Sequence, residues 1–288
     1  MKVLVAGAGG QVGEALVRTA PVNVELSAFR HGELDISDAA SVGKCIERHA
    51  PDVIINAAAY TAVDRAETEC DLARRINTHG PSSLAIAARA GGIRLIHIST
   101  NFVFDGTACE PYRPGSDTNP LAVYGLTKRD GDLAVMSELP DRSVVLRTAW
   151  VYSPGRRNFV DTMLNAMRVS RSVRVVADQV GTPTSARSLA QAIWKLVDRP
   201  DIHGLHHWTD AGVASWYDFA VAIAEEATAR GLLPEGVTVT PITSEQYSTP
   251  ARRPRYGVLD TTSLTSLGIV PSHWRTELRR SLEGMPHG

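Results

Sequence analysis

The sequence has no apolar run long enough to cross a membrane. Its opening stretch, Val3-Leu4-Val5-Ala6, stops at Gly7, too short for a span or a signal peptide. Met1 is therefore expected to open the folded domain, with no membrane partner. Cysteine is scarce: Cys45, Cys70 and Cys109 are scattered and odd in number, without the paired spacing of a disulfide framework or a zinc site. That points to a reduced, cytoplasmic setting. An excess of either charge is also missing, with 30 Lys and Arg against 31 Asp and Glu, so no global field exists to recruit nucleic acid. Any anionic ligand must be held locally. No repeat, low-complexity tract or Ser/Gly-rich linker divides the chain, which argues against tethered modules. At 43% hydrophobic and 21% charged residues the composition excludes disorder without indicating a function.

What is present is an alternation of short β-branched runs and longer helical patterns. Strands are expected at 2–6, 22–26, 53–56, 94–98 and 143–146, and helices at 11–19, 39–49, 65–90 and 123–139. This rhythm is that of an α/β protein, a Rossmann-type doubly wound parallel sheet, over residues 1–150. Beyond Trp150, helical stretches at 159–169, 186–197 and 215–229 are separated by proline-bearing loops. Residues 151–288 are expected to form a smaller, mainly substrate-binding region sharing a core with the first.

The first strand runs directly into Gly7-Ala8-Gly9-Gly10-Gln11-Val12-Gly13, with a helical pattern at once behind it. Gly7, Gly10 and Gly13 then permit, in turn, a tight bend, approach of backbone to a pyrophosphate, and close helix–strand packing. Gln11 and Val12 bring unpaired N–H groups of the helix start to the phosphates. The acid that holds a ribose 2′-hydroxyl at the end of the second strand is absent; the segment reads Leu26-Ser27-Ala28-Phe29-Arg30-His31. Arg30 can instead face a 2′-phosphate, which favours NADPH with NADH as the other option, or it is a solvated surface residue.

Tyr124 and Lys128 lie four apart on an expected helix and so share a face. A neighbouring ammonium favours the phenolate and makes such a phenol usable as an acid–base group. Thr100 ends the fourth strand, on the side where open α/β sheets bind ligands, and its hydroxyl can hydrogen-bond a carbonyl about to gain hydride.

A Thr–Tyr–Lys trio downstream of a glycine loop resembles the short-chain dehydrogenase/reductase superfamily, in the extended branch that acts on nucleotide sugars. The stretches from Asn56 to Glu67, Ser99 to Gly106, Leu146 to Tyr152, Asp178 to Thr184 and Thr249 to Pro254 closely resemble the dTDP-4-dehydrorhamnose reductase family. The resemblance implies reduction of the 4-keto group of a dTDP-linked deoxysugar, dTDP-4-dehydro-L-rhamnose to dTDP-L-rhamnose, with hydride from nicotinamide and a proton from Tyr124. It makes Thr100, Tyr124 and Lys128 catalytic and sets Ala57, Ala58 and Ala59 beside the cofactor. Thr61, Val63, Asn101, Phe102 and Trp150 are implied to line the sugar or nucleotide pocket. Asp35 and Ile36 resemble the segment beside adenine in extended relatives, although Asp35 can equally cap the helix beginning near Asp38. Arg253, with Arg252 and Arg255, is either a solvated loop or a clamp on the nucleotide diphosphate.

The family commonly has Asp-Tyr after the catalytic threonine, where this chain has Asn101-Phe102. The identity of the sugar is therefore open, and a 4-keto-6-deoxysugar reductase of another pathway is the alternative. A non-catalytic NADP-binding regulatory subunit and an epimerase or dehydratase also resemble this family; intact Thr100, Tyr124 and Lys128 argue against the first. Some members bind Mg2+ through carboxylates at a dimer interface, so Mg2+ and a homodimer are options that the resemblance leaves open, with the acids unassigned here. His203, His206 and His207 cluster without cysteine, a pattern expected of surface or core histidines rather than a metal centre.

Overall fold

The computed structural model describes residues 1–283 and Met285. Its centre is a six-stranded, wholly parallel sheet. The strands are β1 (Lys2–Ala6), β2 (Glu25–Phe29), β3 (Val53–Asn56), β4 (Arg94–Thr100), β5 (Ser143–Thr148) and a sixth at Gly204–His207. From one edge they run β2, β1, β3, β4, β5 and the sixth strand, so the order reverses between β1 and β3. Ligand crevices form at such a reversal, outside the carboxyl ends of the strands.

Alternating side chains divide the strands between two helical layers. Val3, Val5 and Ile55 pack against α1 (Gln11–Arg18) and the Ala186–Val197 helix. Leu4, Ala6 and Ile54 face α2 (Ala39–His49), the Gly80–Gly91 helix and the Val123–Glu138 helix. The Trp194 indole N–H donates to the Leu16 carbonyl at 3.2 Å, tying α1 to the Ala186–Val197 helix. A separate apolar cluster joins the Phe159–Ser170, Trp216–Thr228 and Trp274–Glu283 helices.

Two elements differ from the sequence reading. β2 begins three residues late, because Pro21 and Val24 close a turn (Val24 N–H to Pro21 carbonyl, 3.1 Å) and leave Val22 fully exposed. The helix expected over 65–90 is broken into Val63–Ala66, Cys70–Arg74, a π turn at Arg75–His79, and Gly80–Gly91. Pro81 has no N–H to offer the carbonyl of Asn77 four residues back, and a π turn is a common accommodation of such a break. The Asn77 side chain uses that location. It accepts from Tyr60 N–H at 2.8 Å and donates to Thr127 Oγ1 at 3.2 Å, bracing the β3 loop against the Val123–Glu138 helix.

Candidate active site

A cleft of about 610 Å³ opens at the carboxyl ends of β1, β3, β4 and β5. Its floor at one end is the glycine loop. Gly7 has φ +87°, and a Cβ there would lie 2.4 Å from the Ala58 nitrogen; a Cβ on Gly13 would lie 2.1 Å from the Gly7 carbonyl oxygen. Only glycine satisfies both, so the loop stays flat where a pyrophosphate must meet backbone N–H groups. Gly10 is the N-cap of α1 and contributes no side-chain hydrogen bond, so the first amides of the helix remain free. The residues fit a dinucleotide.

Thr100 stands at the last position of β4. Its Oγ1 accepts from Phe102 N–H at 3.2 Å, and its hydroxyl proton is directed at Asn101 Oδ1 at 3.5 Å, beside the Tyr124 phenol. Tyr124 enters from the first turn of the Val123–Glu138 helix, whose leading amide, Val123 N–H, donates to the Glu67 carboxylate at 2.9 Å. Burial pushes the Tyr124 phenol up to about 12, against an opposing hydrogen bond from Thr100. Lys128, one turn on, is only 1% exposed and donates to the Ile98 carbonyl at 2.8 Å. Burial lowers its ammonium to about 8, partly offset by the Asp132 carboxylate. A neutral phenol and a cation made easier to deprotonate thus share the cleft.

The far wall is aromatic. Trp150 adopts φ +49°, rare for a bulky residue, and stacks on Trp216 with centroids 3.6 Å apart and planes within 9°. Phe159 leans on Trp216 at 4.6 Å. Phe102 meets Tyr124 edge to face at 5.5 Å.

Of the expected residues, Gly10, Gln11, Val12, Ala57, Ala59, Thr61, Val63, Thr100, Asn101, Phe102, Tyr124, Lys128 and Trp150 line this cleft. Gly7, Gly13 and Ala58 form the turn beneath it. Arg30 is exposed, with its aliphatic stem 3.5 Å from the position a Gly9 Cβ would take, so it borders the loop. Asp35 accepts from Ser37 N–H at 2.9 Å, which together with the Ser37 hydroxyl holds its carboxyl below the usual range. The helix cap is Asp38, whose carboxylate accepts from Ala40 and Ser41 N–H, which removes the capping alternative for Asp35. The Ile36 side chain is 3% exposed in the core and does not reach the cleft. Nor does Arg253. Its guanidinium grips Asp64 at 2.8 and 3.0 Å beside a separate cavity of about 510 Å³ that Arg252 and Arg255 also line.

Sequence reasoning missed Arg156 and Trp216, which line the cleft, and Glu67, which caps the helix that carries Tyr124. Arg156 Nε donates to Glu14 on the first turn of α1 at 2.8 Å, and its Nη2 reaches the Gly9 carbonyl at 3.3 Å. The adjacent basic pair Arg156-Arg157 just ahead of a helical pattern was the available signal. His207 is buried, with Nδ1 3.0 Å from the Tyr112 carbonyl, and His206 Nδ1 is 3.1 Å from Ser263 Oγ. Among the described residues no group of three or more His, Cys, Asp or Glu side chains could hold a metal ion. No described helix is long and apolar enough to cross a membrane.

The pattern of the RmlD substrate binding domain matches residues 1–286. The chain belongs to that family. Its relatives include the spore coat polysaccharide biosynthesis protein SpsK of Bacillus subtilis (strain 168), 39% identical over 98% of this chain and 97% of the relative. The dTDP-4-dehydrorhamnose reductase of Streptomyces griseus is 40% identical over 98% of this chain and 93% of its own. Among solved structures, the dTDP-4-dehydrorhamnose reductase of Bacillus anthracis str. Ames, in complex with NADP, superposes with a TM-score of 0.93 at 32% identity, covering 99% of both chains.

Proposed function

We propose that the protein is an NADPH-dependent reductase of the 4-keto group of a dTDP-linked 6-deoxysugar, with dTDP-4-dehydro-L-rhamnose as substrate and dTDP-L-rhamnose as product. The observation that carries this reading is the convergence of Thr100, Tyr124 and Lys128 at one point of the cleft, at the far end of which lies a glycine loop shaped for a dinucleotide. The names borne by full-length relatives support the substrate class.

When bound, the nicotinamide supplies the hydride that reduces the C4 carbonyl carbon. The loop from Gly7 to Gly13 and the start of α1 hold the pyrophosphate, and Arg30 at the end of β2 supplies positive charge for a 2′-phosphate. Thr100, its own oxygen engaged by Phe102 N–H, turns its hydroxyl to the carbonyl oxygen, donating a hydrogen bond that polarises the carbonyl while the threonine keeps its proton. Tyr124 is neutral at working pH and gives its phenolic proton to that oxygen as the C4 hydroxyl forms. Lys128 stabilises the phenolate left behind, which then regains a proton. Trp150 and Trp216 wall the opposite side, where a deoxysugar ring has an apolar face to present. A cytoplasmic location agrees with the free cysteines and with the use of NADPH.

The test is to incubate the protein with dTDP-4-dehydro-L-rhamnose and NADPH, follow the nicotinamide absorbance and identify the sugar product. Stoichiometric NADPH loss with appearance of dTDP-L-rhamnose is expected. No net oxidation of the cofactor would remove the reductase reading, and turnover only with a different dTDP-4-keto-sugar would move the substrate.

A further inference from the structure

Behind Lys128, on the side away from the cleft, lies a set of buried ionisable groups for which the hydride and proton transfers above have no use. Asp132 follows Lys128 by one helical turn and is 1% exposed. Arg147 on β5, 4% exposed, donates from Nε to Asp132 Oδ2 at 3.0 Å. The other carboxylate oxygen, Oδ1, makes no hydrogen bond of good geometry among the described residues; it lies 3.8 Å from His97 Nε2, and the Ser99 hydroxyl is also near the carboxylate. That same His97 nitrogen is 3.2 Å from Lys128 Nζ. On its other edge, His97 Nδ1 is 3.0 Å from the Asn56 amide, which in turn accepts from Ala58 N–H of the cleft loop at 3.1 Å.

A buried ion pair is a weak source of net stability, because desolvation of both partners offsets their attraction. A clamp that leaves one carboxylate oxygen unpaired is weaker still as a structural device. One helical turn from a buried lysine and separated from it by His97, however, that carboxylate supplies negative potential that the lysine loses with its water.

We propose that Asp132, clamped by Arg147, is a positioning residue for Lys128: it keeps the ammonium charged and directed into the cleft, with His97 as the neutral spacer between them. This rests on the reading of Lys128 as the partner of Tyr124. The groups facing Lys128 are Tyr124 and Asp132 on its own helix, His97 from β4 and, across Asp132, Arg147 from β5. Burial and the nearby Lys128 charge hold His97 well below its usual range, so it carries no charge of its own. Asp132 and Arg147 therefore act on Lys128 with opposite signs. A purely structural pair would instead give the same result whichever member is removed.

The experiment uses the full chain labelled with 13Cε-lysine, whose other lysines are Lys2, Lys44 and Lys195, and compares Asp132→Asn with Arg147→Gln. The Lys128 titration midpoint should fall by about one pH unit in Asp132→Asn and rise by a smaller amount in Arg147→Gln. The alkaline limb of the kcat profile should move in the same two directions. Midpoints that stay put, or move the same way in both variants, overturn the proposal, even where activity falls with Tm. If Asp132→Asn fails to fold, Arg147→Gln decides alone, an upward shift supporting and any other result refuting. The NMR titration needs no substrate, so it stands apart from failure of the reductase assay.

Discussion

Replacing Asn101 by Asp, the residue that the sequence resemblance leads one to expect at this place, should destabilise this protein rather than simply retune its pocket. Asn101 is 2% exposed, and its Nδ2 donates to the Gly257 carbonyl at 3.1 Å. Gly257 cannot retreat, because its own N–H is held by the Val180 carbonyl at 2.7 Å. Asn101→Asp removes the donor and sets a carboxylate against that carbonyl. Loss of a buried hydrogen bond with the acceptor left unpaired costs about 1–3 kcal/mol. A carboxylate facing a carbonyl is also pushed above its unfolded value near 3.9, and each unit of that rise adds about 1.4 kcal/mol once the group must ionise. The folded state then holds the proton more tightly than the unfolded state. The extra penalty is therefore absent below about pH 4, grows as pH rises toward the folded pKa, and is constant above it. Urea melts of both proteins near pH 4 and near pH 8 measure this directly; a deficit of about 2–4 kcal/mol is expected at the higher pH and a smaller one at the lower. Equal stability at both pH values, or a larger deficit in acid, would refute the argument and leave Asn101 as a neutral variant of the family pattern.

Tyr124→Phe should lower kcat by about 100-fold or more while NADPH affinity, read by fluorescence, stays within about a factor of two, since only the proton donor is lost. Near-normal turnover would take Tyr124 out of the mechanism. Arg30→Ala should reduce the preference for NADPH over NADH by about tenfold, the worth of one charge-assisted contact, and an unchanged ratio of specificity constants would mean that the arginine is only solvated. Gly13→Ala places a methyl 2.1 Å from the Gly7 carbonyl oxygen, so cofactor binding should be lost before the fold melts; calorimetry showing wild-type NADPH affinity would contradict the geometry of the loop.

The parallel sheet and the glycine loop were legible because their signals are local. β1, β3 and α2 fall at the residues where β-branched runs and helical spacing place them. β2 was misplaced because Val22 and Val24 read as strand, while the turn at Pro21 sets the register of Glu25 against Lys2. The break at Asn77 was hidden because alanine-rich spacing continues across it, and only the Gly80-Pro81 pair signalled it. Thr100, Tyr124 and Lys128 were readable as a pattern over some thirty residues of one strand and one helix. Trp216 and Arg156 were not, because they reach the cleft from the second half of the chain, and no periodicity reports which distant helix closes over which strand. Asp132 and Arg147 were hidden for the opposite reason: each looks like an ordinary solvated charge until β5 pairs with β4 and the Val123–Glu138 helix packs over them, putting both in the interior.

The Trp150–Trp216 stack joins two bodies of the protein. Trp150 lies two residues past the end of β5 in the sheet, whereas Trp216 starts a helix packed into the separate apolar cluster of the second half. Two indoles at 3.6 Å with nearly parallel rings couple electronically, and that coupling decays steeply with separation and tilt. The protein thus carries a native optical gauge in the wall of its cleft. Any ligand that wedges between the rings, or any sliding of one layer over the other, will be written into the near-ultraviolet circular dichroism without a label being attached.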